Sequence, residues 1–202
     1  MDCLIRPVRA DEWAEAKELR LAALQDPLAG IAFLETYEKA VREPDSFWKG
    51  RTGRVTGDSQ ARQFVAEAPD GRWVGTVTVI VERAGAEGTF GGAPEVDQAH
   101  AVGVFVRPEA RGTGVAQELF RAALEWSWAL PDPRIERVRL YVHERNGRAE
   151  ALYAKAGFLR SGETVAMPGD ASVKPEKEYE MVAERPRGRE AAGTGAAGSS
   201  RR

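Results

Sequence analysis

The chain has one cysteine and two histidines in 202 residues, and no long apolar run. A single thiol, Cys3, closes no disulfide within the chain, and with no CxxC or HExxH spacing no metal site is expected. Cys3 reads instead as a small buried apolar residue of the first strand. No segment approaches the roughly 20 apolar residues that a bilayer-spanning helix needs, and Met1-Asp2-Cys3-Leu4-Ile5-Arg6 lacks the apolar stretch of a signal peptide. The expectation is a cytoplasmic chain with no membrane partner. A strong excess of one charge is also missing, the net charge being −2. Residues 183–202 hold five Arg against two Glu, which leaves the preceding chain at −5. A nucleic-acid binder places a basic stripe on a folded face, whereas here the surplus sits in a Gly/Ala/Ser-rich end, so nucleic acid is not expected as a partner.

The remaining composition, 43% hydrophobic and 30% charged, suits one globular domain. We read that domain as residues 1–184, followed by a disordered tail at 185–202 that has too few large apolar residues to offset the entropy of ordering.

Along the chain, residues 4–8 alternate as a strand, and Asp11 is placed to cap a helix running from Trp13 to the Asp26-Pro27 stop. A second helix is expected over 32–41, and a further helical turn at Ser46-Phe47-Trp48-Lys49. Residues 63–68 and 73–82 are β-rich and joined by Pro69-Asp70-Gly71, a hairpin signal that implies antiparallel pairing. A Gly-rich loop over 84–94 precedes the apolar run 100–106, which reads as a central strand buried on both faces. A helix at 114–130 follows, then a strand at 137–143, a helix from an Asn146 cap to Lys155 with Gly157 as its C-terminal turn, and strands near 158–165 and 177–182. The sum is an α/β fold with a mixed (α+β) sheet, antiparallel early and βαβ late, with helices on both faces.

The segment most informative about chemistry is Val104-Phe105-Val106-Arg107-Pro108-Glu109-Ala110-Arg111-Gly112-Thr113-Gly114-Val115-Ala116. A buried strand there feeds a Gly-containing loop that opens a helix, a geometry suited to anions: glycines permit close backbone approach, and free amides and the positive helix end face the charge. An Arg beside the loop suits phosphate further. The P-loop pattern GxxxxGK[ST] is absent, and a dinucleotide GxGxxG starting at Gly112 meets Gln117 where its third Gly belongs. Taken alone, the loop also fits an ordinary helix start. Arg111-Gly-Thr-Gly114-Val-Ala116 resembles the [QR]-x-x-G-x-[GA] coenzyme A loop of the GNAT superfamily of N-acetyltransferases. About thirty residues on, Asn146-Gly-Arg-Ala149-Glu-Ala-Leu152-Tyr153-Ala-Lys-Ala-Gly157-Phe158 is similar to that family's N-x-x-A-x-x-L-Y-x-x-x-G-F signature at every named position.

The resemblance implies a six- to seven-stranded mixed sheet with about four helices, acetyl-CoA as co-substrate and a small-molecule or peptide amine as acceptor. It implies that the central strand splays from its neighbour near Val104, Phe105 and Val106 so that its backbone pairs with the pantetheine arm and holds the oxyanion. It puts Arg111, Gly112, Thr113, Gly114, Val115, Ala116, Asn146 and Tyr153 against the coenzyme. Tyr153 becomes the acid that protonates the leaving thiolate, although its spacing beside Leu152 also fits a core tyrosine; Asn146 also fits a plain N-cap. Many family members carry a carboxylate eight residues before the loop Pro; here that position holds His100, a group that titrates near working pH and suits a general base. Asp97, Glu82 and Glu67 compete for that role, and His100 also fits an ordinary strand-end residue. His143 reads as structural or exposed. The acceptor pocket is expected from the first two helices, with Trp13, Phe33, Tyr37, Phe47 and Trp48, and from 167–177. The alternative reading is a non-catalytic acyl-CoA sensor of the same fold, and a homodimer is expected.

Overall fold

Alternation of side chains along a strand decides which residues meet which helix. In β2 (Ala61–Glu67), Phe64 and Ala66 enter the main core on one face, while Val65 between them joins a second core on the other. The computed structural model describes residues 2–56, 60–88, 90–167 and 176–186, and extends this two-faced arrangement over a seven-stranded sheet. The strands are β1 (Leu4–Pro7), β2, β3 (Trp73–Glu82), β4 (Gln98–Val106), β5 (Arg137–His143), β6 (Leu159–Ala166) and β7 (Lys177–Glu184), in the spatial order β1-β2-β3-β4-β5-β7-β6. Among the described residues only β4 and β5 pair in parallel. The strand read as central is the fourth of seven, and most of the tail, residues 187–202, lies outside the described residues.

One face is covered by α1 (Trp13–Leu24), on which α2 (Ala29–Ala32), α3 (Tyr37–Ala40) and α4 (Asp45–Gly53) pack. The other face carries α5 (Val115–Ala129) and α6 (Gly147–Lys155). Helix α5 is held by its apolar stripe: Val115, Leu119, Phe120 and Ala123 are each at most 3% exposed. Burying each large side chain is worth roughly 1.5–3 kcal/mol. Pro131 follows closely on its last residue and has no amide to continue the helix.

Several local expectations change. Asp11 does not cap α1; the preceding residue is Glu12, whose carboxylate reaches back to the Arg9 N–H at 2.8 Å and to Arg6. The helix expected over 32–41 divides into α2 and α3, because Phe33 turns extended and Thr36 starts a new turn by accepting the Lys39 N–H. Six helices plus a 3-10 turn at Pro108–Ala110 are thus described where about four helices were expected, the excess being single turns. Cys3 is half-buried against the main core just before β1.

Two features of β4 open the sheet. Its pairing with β5 covers only Gln98–His100 against Arg137–Arg139, so from Ala101 onward β4 diverges while β5 continues on β7. On the other side, the register with β3 slips between Thr76/Phe105 and Thr78/Val102, which leaves one extra residue in β4. Gly103, at φ 63°, supplies the left-handed conformation of this bulge at no Cβ cost. The expected splay is therefore present and starts at Ala101. It also explains why Val102, Gly103 and Val104 are only half-buried in a strand otherwise buried at both ends.

Candidate active site

Divergence of β4 from β5 creates a cleft with two lobes. The smaller lobe, about 380 Å³, is lined by Val104, Phe105, Val106, Arg111, Gly112, Gly114, Ala116, Asn146, Arg148 and Tyr153 among others. Its floor is the start of α5. Among the described residues no protein acceptor takes the N–H groups of residues 112–117, and no side chain caps the helix. Such amides, at the positive end of a four-turn helix, are suited to hold phosphate oxygens.

Two residues of the loop motif contribute backbone only. The Thr113 hydroxyl donates to the Ala110 carbonyl at 2.8 Å, and the Val115 side chain is buried in the core. The Arg111 guanidinium is engaged as well, donating to the Val106 carbonyl at 2.8 Å and pairing with Asp26 at the end of α1. It ties the first helix to the loop, and Arg148 is a second guanidinium lining this lobe. Gly114, the residue before α5, has φ 91° with open space around its missing Cβ. Gly114→Ala should therefore cost backbone strain alone, about 1–2 kcal/mol, measurable as a lower denaturant midpoint.

Asn146 and Tyr153 sit where the two lobes meet, each lining both. The Asn146 side chain accepts the Ala149 N–H at 3.2 Å, so it is the N-cap of α6. Two turns later, Tyr153 is 9% exposed, with its ring edge-on to Phe120 at 5.5 Å. Burial, reinforced by the nearby Glu178 carboxylate, pushes its phenol well above the ordinary range, so it stays protonated.

The larger lobe, about 540 Å³, lies between α1, α4, the sheet and β7. His100 lines it, 3% exposed. Its Nδ1 faces Glu82 Oε1 at 3.3 Å, and a carboxylate at this position fixes the tautomer with the proton on Nδ1 and the lone pair on Nε2. Glu82 also accepts from Gln98 at 2.7 Å and Arg139 at 2.8 Å. Burial alone would raise this carboxyl, but the hydrogen bonds from His100, Arg139 and Gln98 hold it at about 2. Arg139 is itself buried and reaches Tyr141, Glu180 and the carbonyls of Phe90 and Gly92, fixing that loop over the lobe. His143 is buried rather than exposed: its Nδ1 accepts the Arg145 N–H and its Nε2 faces Glu176 at 3.1 Å.

Of the competitors for His100, Glu82 supports that histidine, Asp97 accepts the Ala84 N–H, and Glu67 pairs with Arg6; neither Asp97 nor Glu67 lines the lobe. Of the aromatic residues expected at the acceptor side, Phe33 and Trp48 line the lobe, while Trp13, Tyr37 and Phe47 pack in the small core beneath α1 and α4. Residues 168–175 of the expected pocket segment lie outside the described residues. Glu178, Tyr141 and the cluster Arg20, Glu35 and Arg51 also line it, and no motif marked them. Glu178 arrives through β7, whose register sets it opposite His143. Burial raises its carboxyl, although His143 opposes the shift.

A splayed parallel pair with a helix start of free amides below it and a tyrosine at the junction defines the acyl-CoA N-acyltransferase class of fold. The chain belongs to the Acetyltransferase (GNAT) family, whose model matches residues 15–158. Among solved structures, a GNAT-family acetyltransferase from Streptococcus pneumoniae superposes with a TM-score of 0.69 at 17% identity, over 91% of this chain and 100% of that one. The spermidine N-acetyltransferase of Vibrio cholerae in complex with CoA and spermine gives 0.61 at 17% identity, over 90% and 95%. A mycothiol acetyltransferase of Salinispora arenicola is 40% identical over 70 residues, which is 34% of this chain and 21% of that protein. The match thus spans about a fifth of that curated relative's length. No helix among the described residues is long and apolar enough to cross a membrane.

Proposed function

We propose that the protein is an N-acetyltransferase that moves the acetyl group of acetyl-CoA directly to a primary amine. The observation that carries this reading is the junction of the two lobes at Tyr153, one lobe suited to a pyrophosphate and an extended arm, the other to an acceptor. The family to which the chain belongs supports it. The residues fit acetyl-CoA: free amides at residues 112–117 face the phosphates, and the unpaired β4 edge at Val104, Phe105 and Val106 takes the pantetheine arm as a strand takes a neighbour. When bound, acetyl-CoA supplies the thioester carbon that is attacked.

His100 Nε2 accepts the proton of the incoming ammonium, directly or through water, since an ordinary alkylamine with a pKa of about 10.4 attacks only when neutral. A strand amide at Val104 holds the developing oxyanion. As the new C–N bond forms and the C–S bond breaks, Tyr153 gives its proton to the departing sulfur, and the second proton shed by the nitrogen as it becomes an amide restores the phenol through solvent. The same dry surroundings that keep the phenol protonated raise the proton affinity of a thiolate. Transfer is direct, without an acyl-enzyme, a reading supported by the family and by the lack of a cysteine among the cleft's described residues.

We extend the reading to a cytoplasmic domain over 1–184 with a tail at 185–202, free of nucleic-acid and membrane partners. Strand β6, an outer strand with Leu159 71% exposed, supports a homodimer; sedimentation at micromolar protein would show twice the monomer mass.

The test is thiol release from acetyl-CoA over an amine panel, beside calorimetric titration of acetyl-CoA alone. Binding with amine-dependent thiol release supports the enzyme, whereas binding with no turnover on any amine favours an acyl-CoA sensor. For the base, His100→Gln is expected to lower kcat/KM about 10²-fold at neutral pH. The loss should shrink toward alkaline pH, where the amine deprotonates unaided; a pH-independent deficit would remove the base role.

A further inference from the structure

The charges lining the larger lobe are unevenly distributed. At the end formed by α1, residues 33–35 and α4, the guanidiniums of Arg20 and Arg51 share one carboxylate, Glu35. Arg20 Nε donates to Glu35 Oε2 at 2.9 Å, and Arg51 Nη1 donates to the same oxygen at 3.2 Å. Phe33 lies 4.3 Å from the Arg20 guanidinium carbon and covers one face of it. Arg54, on the same wall, adds positive charge and pairs with no carboxylate among the described residues. Tyr153, His100 and Glu178, the groups assigned to proton exchange, line the same lobe.

A guanidinium held in a partly dry cavity without its own counter-charge is costly, and its planar fork suits a carboxylate. We infer that the acceptor is a primary amine that also carries a carboxylate, bound with the carboxylate against Arg20 and Arg51 and the amine toward Tyr153. This assignment rests on the acetyltransferase reading for its amine end, but its anionic end stands on the cavity charges alone. The lobe's volume of about 540 Å³ exceeds what a small amino acid fills, so an extended amino carboxylate or a short peptide is the class it fits. A polyamine, positive throughout, is repelled at the arginine end.

The full chain, saturated with CoA, is titrated with ω-amino carboxylates of increasing length, the alkylamines of matching length, and spermidine. Acetyl transfer to the same set is followed by thiol release. One amino carboxylate is expected to bind about tenfold or more tightly than its alkylamine counterpart, as one charge-assisted contact provides. Arg51→Gln should weaken that ligand about tenfold. Glu35→Gln should tighten it, because the variant removes the carboxylate that competes for both arginines. A purely structural role for the trio would weaken binding in both variants. The inference is overturned by equal or tighter binding of alkylamine or spermidine, by no binding of any amino carboxylate, or by both variants shifting affinity the same way. Carboxylate-selective binding with no transfer to any amine keeps the anionic subsite and removes the acetyltransferase reading. Transfer confined to uncharged or polycationic amines keeps the enzyme and removes the subsite.

Discussion

Tyr153→Phe is expected to lower kcat about 10³-fold, within the range for a lost general acid, while acetyl-CoA affinity stays within about twofold. The substitution keeps the ring in its contact with Phe120 and leaves α6 and its Asn146 cap untouched, so only the phenol hydroxyl is removed. Among the described residues no protein group holds the phenol in a hydrogen bond, which leaves it available at the junction of the lobes. Burial keeps it protonated at neutral pH, so wild-type kcat should show no alkaline fall below about pH 10. Stopped-flow thiol release under single turnover separates chemistry from product release. Unchanged single-turnover rates in the variant would mean that solvent protonates the thiolate and that Tyr153 only packs.

Arg139→Met should produce the largest loss of stability, about 3–5 kcal/mol, because removing one partner of a buried ion pair strands the other. Here two carboxylates lose their shared guanidinium, Glu82 keeping His100 and Gln98 and Glu180 keeping the Tyr141 hydroxyl. Glu82 and Glu180 are each 3% exposed, and Glu180 Oε2 has no hydrogen bond and only the Arg137 guanidinium, at 3.9 Å, to balance it. Arg139→Lys should rescue little, since one ammonium cannot span Glu82, Tyr141 and the Phe90 and Gly92 carbonyls. Guanidinium unfolding reads the loss; a change under about 1 kcal/mol would mean that water enters and solvates the network. The same network gives the wild type a pH signature. Folded Glu82 titrates at about 2, against 4.5 for the free side chain. Between those values the unfolded chain takes up a proton that the folded state refuses. Its contribution is present above about pH 4.5 and is lost as pH falls toward 2. Arg139→Met should flatten that limb of the stability profile.

Both effects depend on groups that differ in how far the sequence revealed them. Tyr153 was legible because its helix carries a local pattern: an Asn cap, apolar spacing and a Gly stop, all within thirteen residues. The β2–β3 hairpin, β5 and the start of α5 were legible for the same reason, since turn chemistry, period-two alternation and helical spacing act over a few neighbours. Where local signals conflicted the reading slipped, as at residues 32–41, where helix-forming residues on both sides hide the extended break at Phe33.

The sequence by itself determined most of the order of strands and helices, the Gly-containing loop before α5 and the tyrosine, because each is written in contiguous residues. Only the tertiary structure decided where β4 leaves β5, that Arg111 turns to Asp26, that Glu82 serves His100, and that Glu35 is shared by two arginines. These pairs lie from 15 to 85 residues apart along the chain. Their charges are matched by sheet register and helix packing, and no local spacing rule reports which distant carboxylate a buried guanidinium will meet.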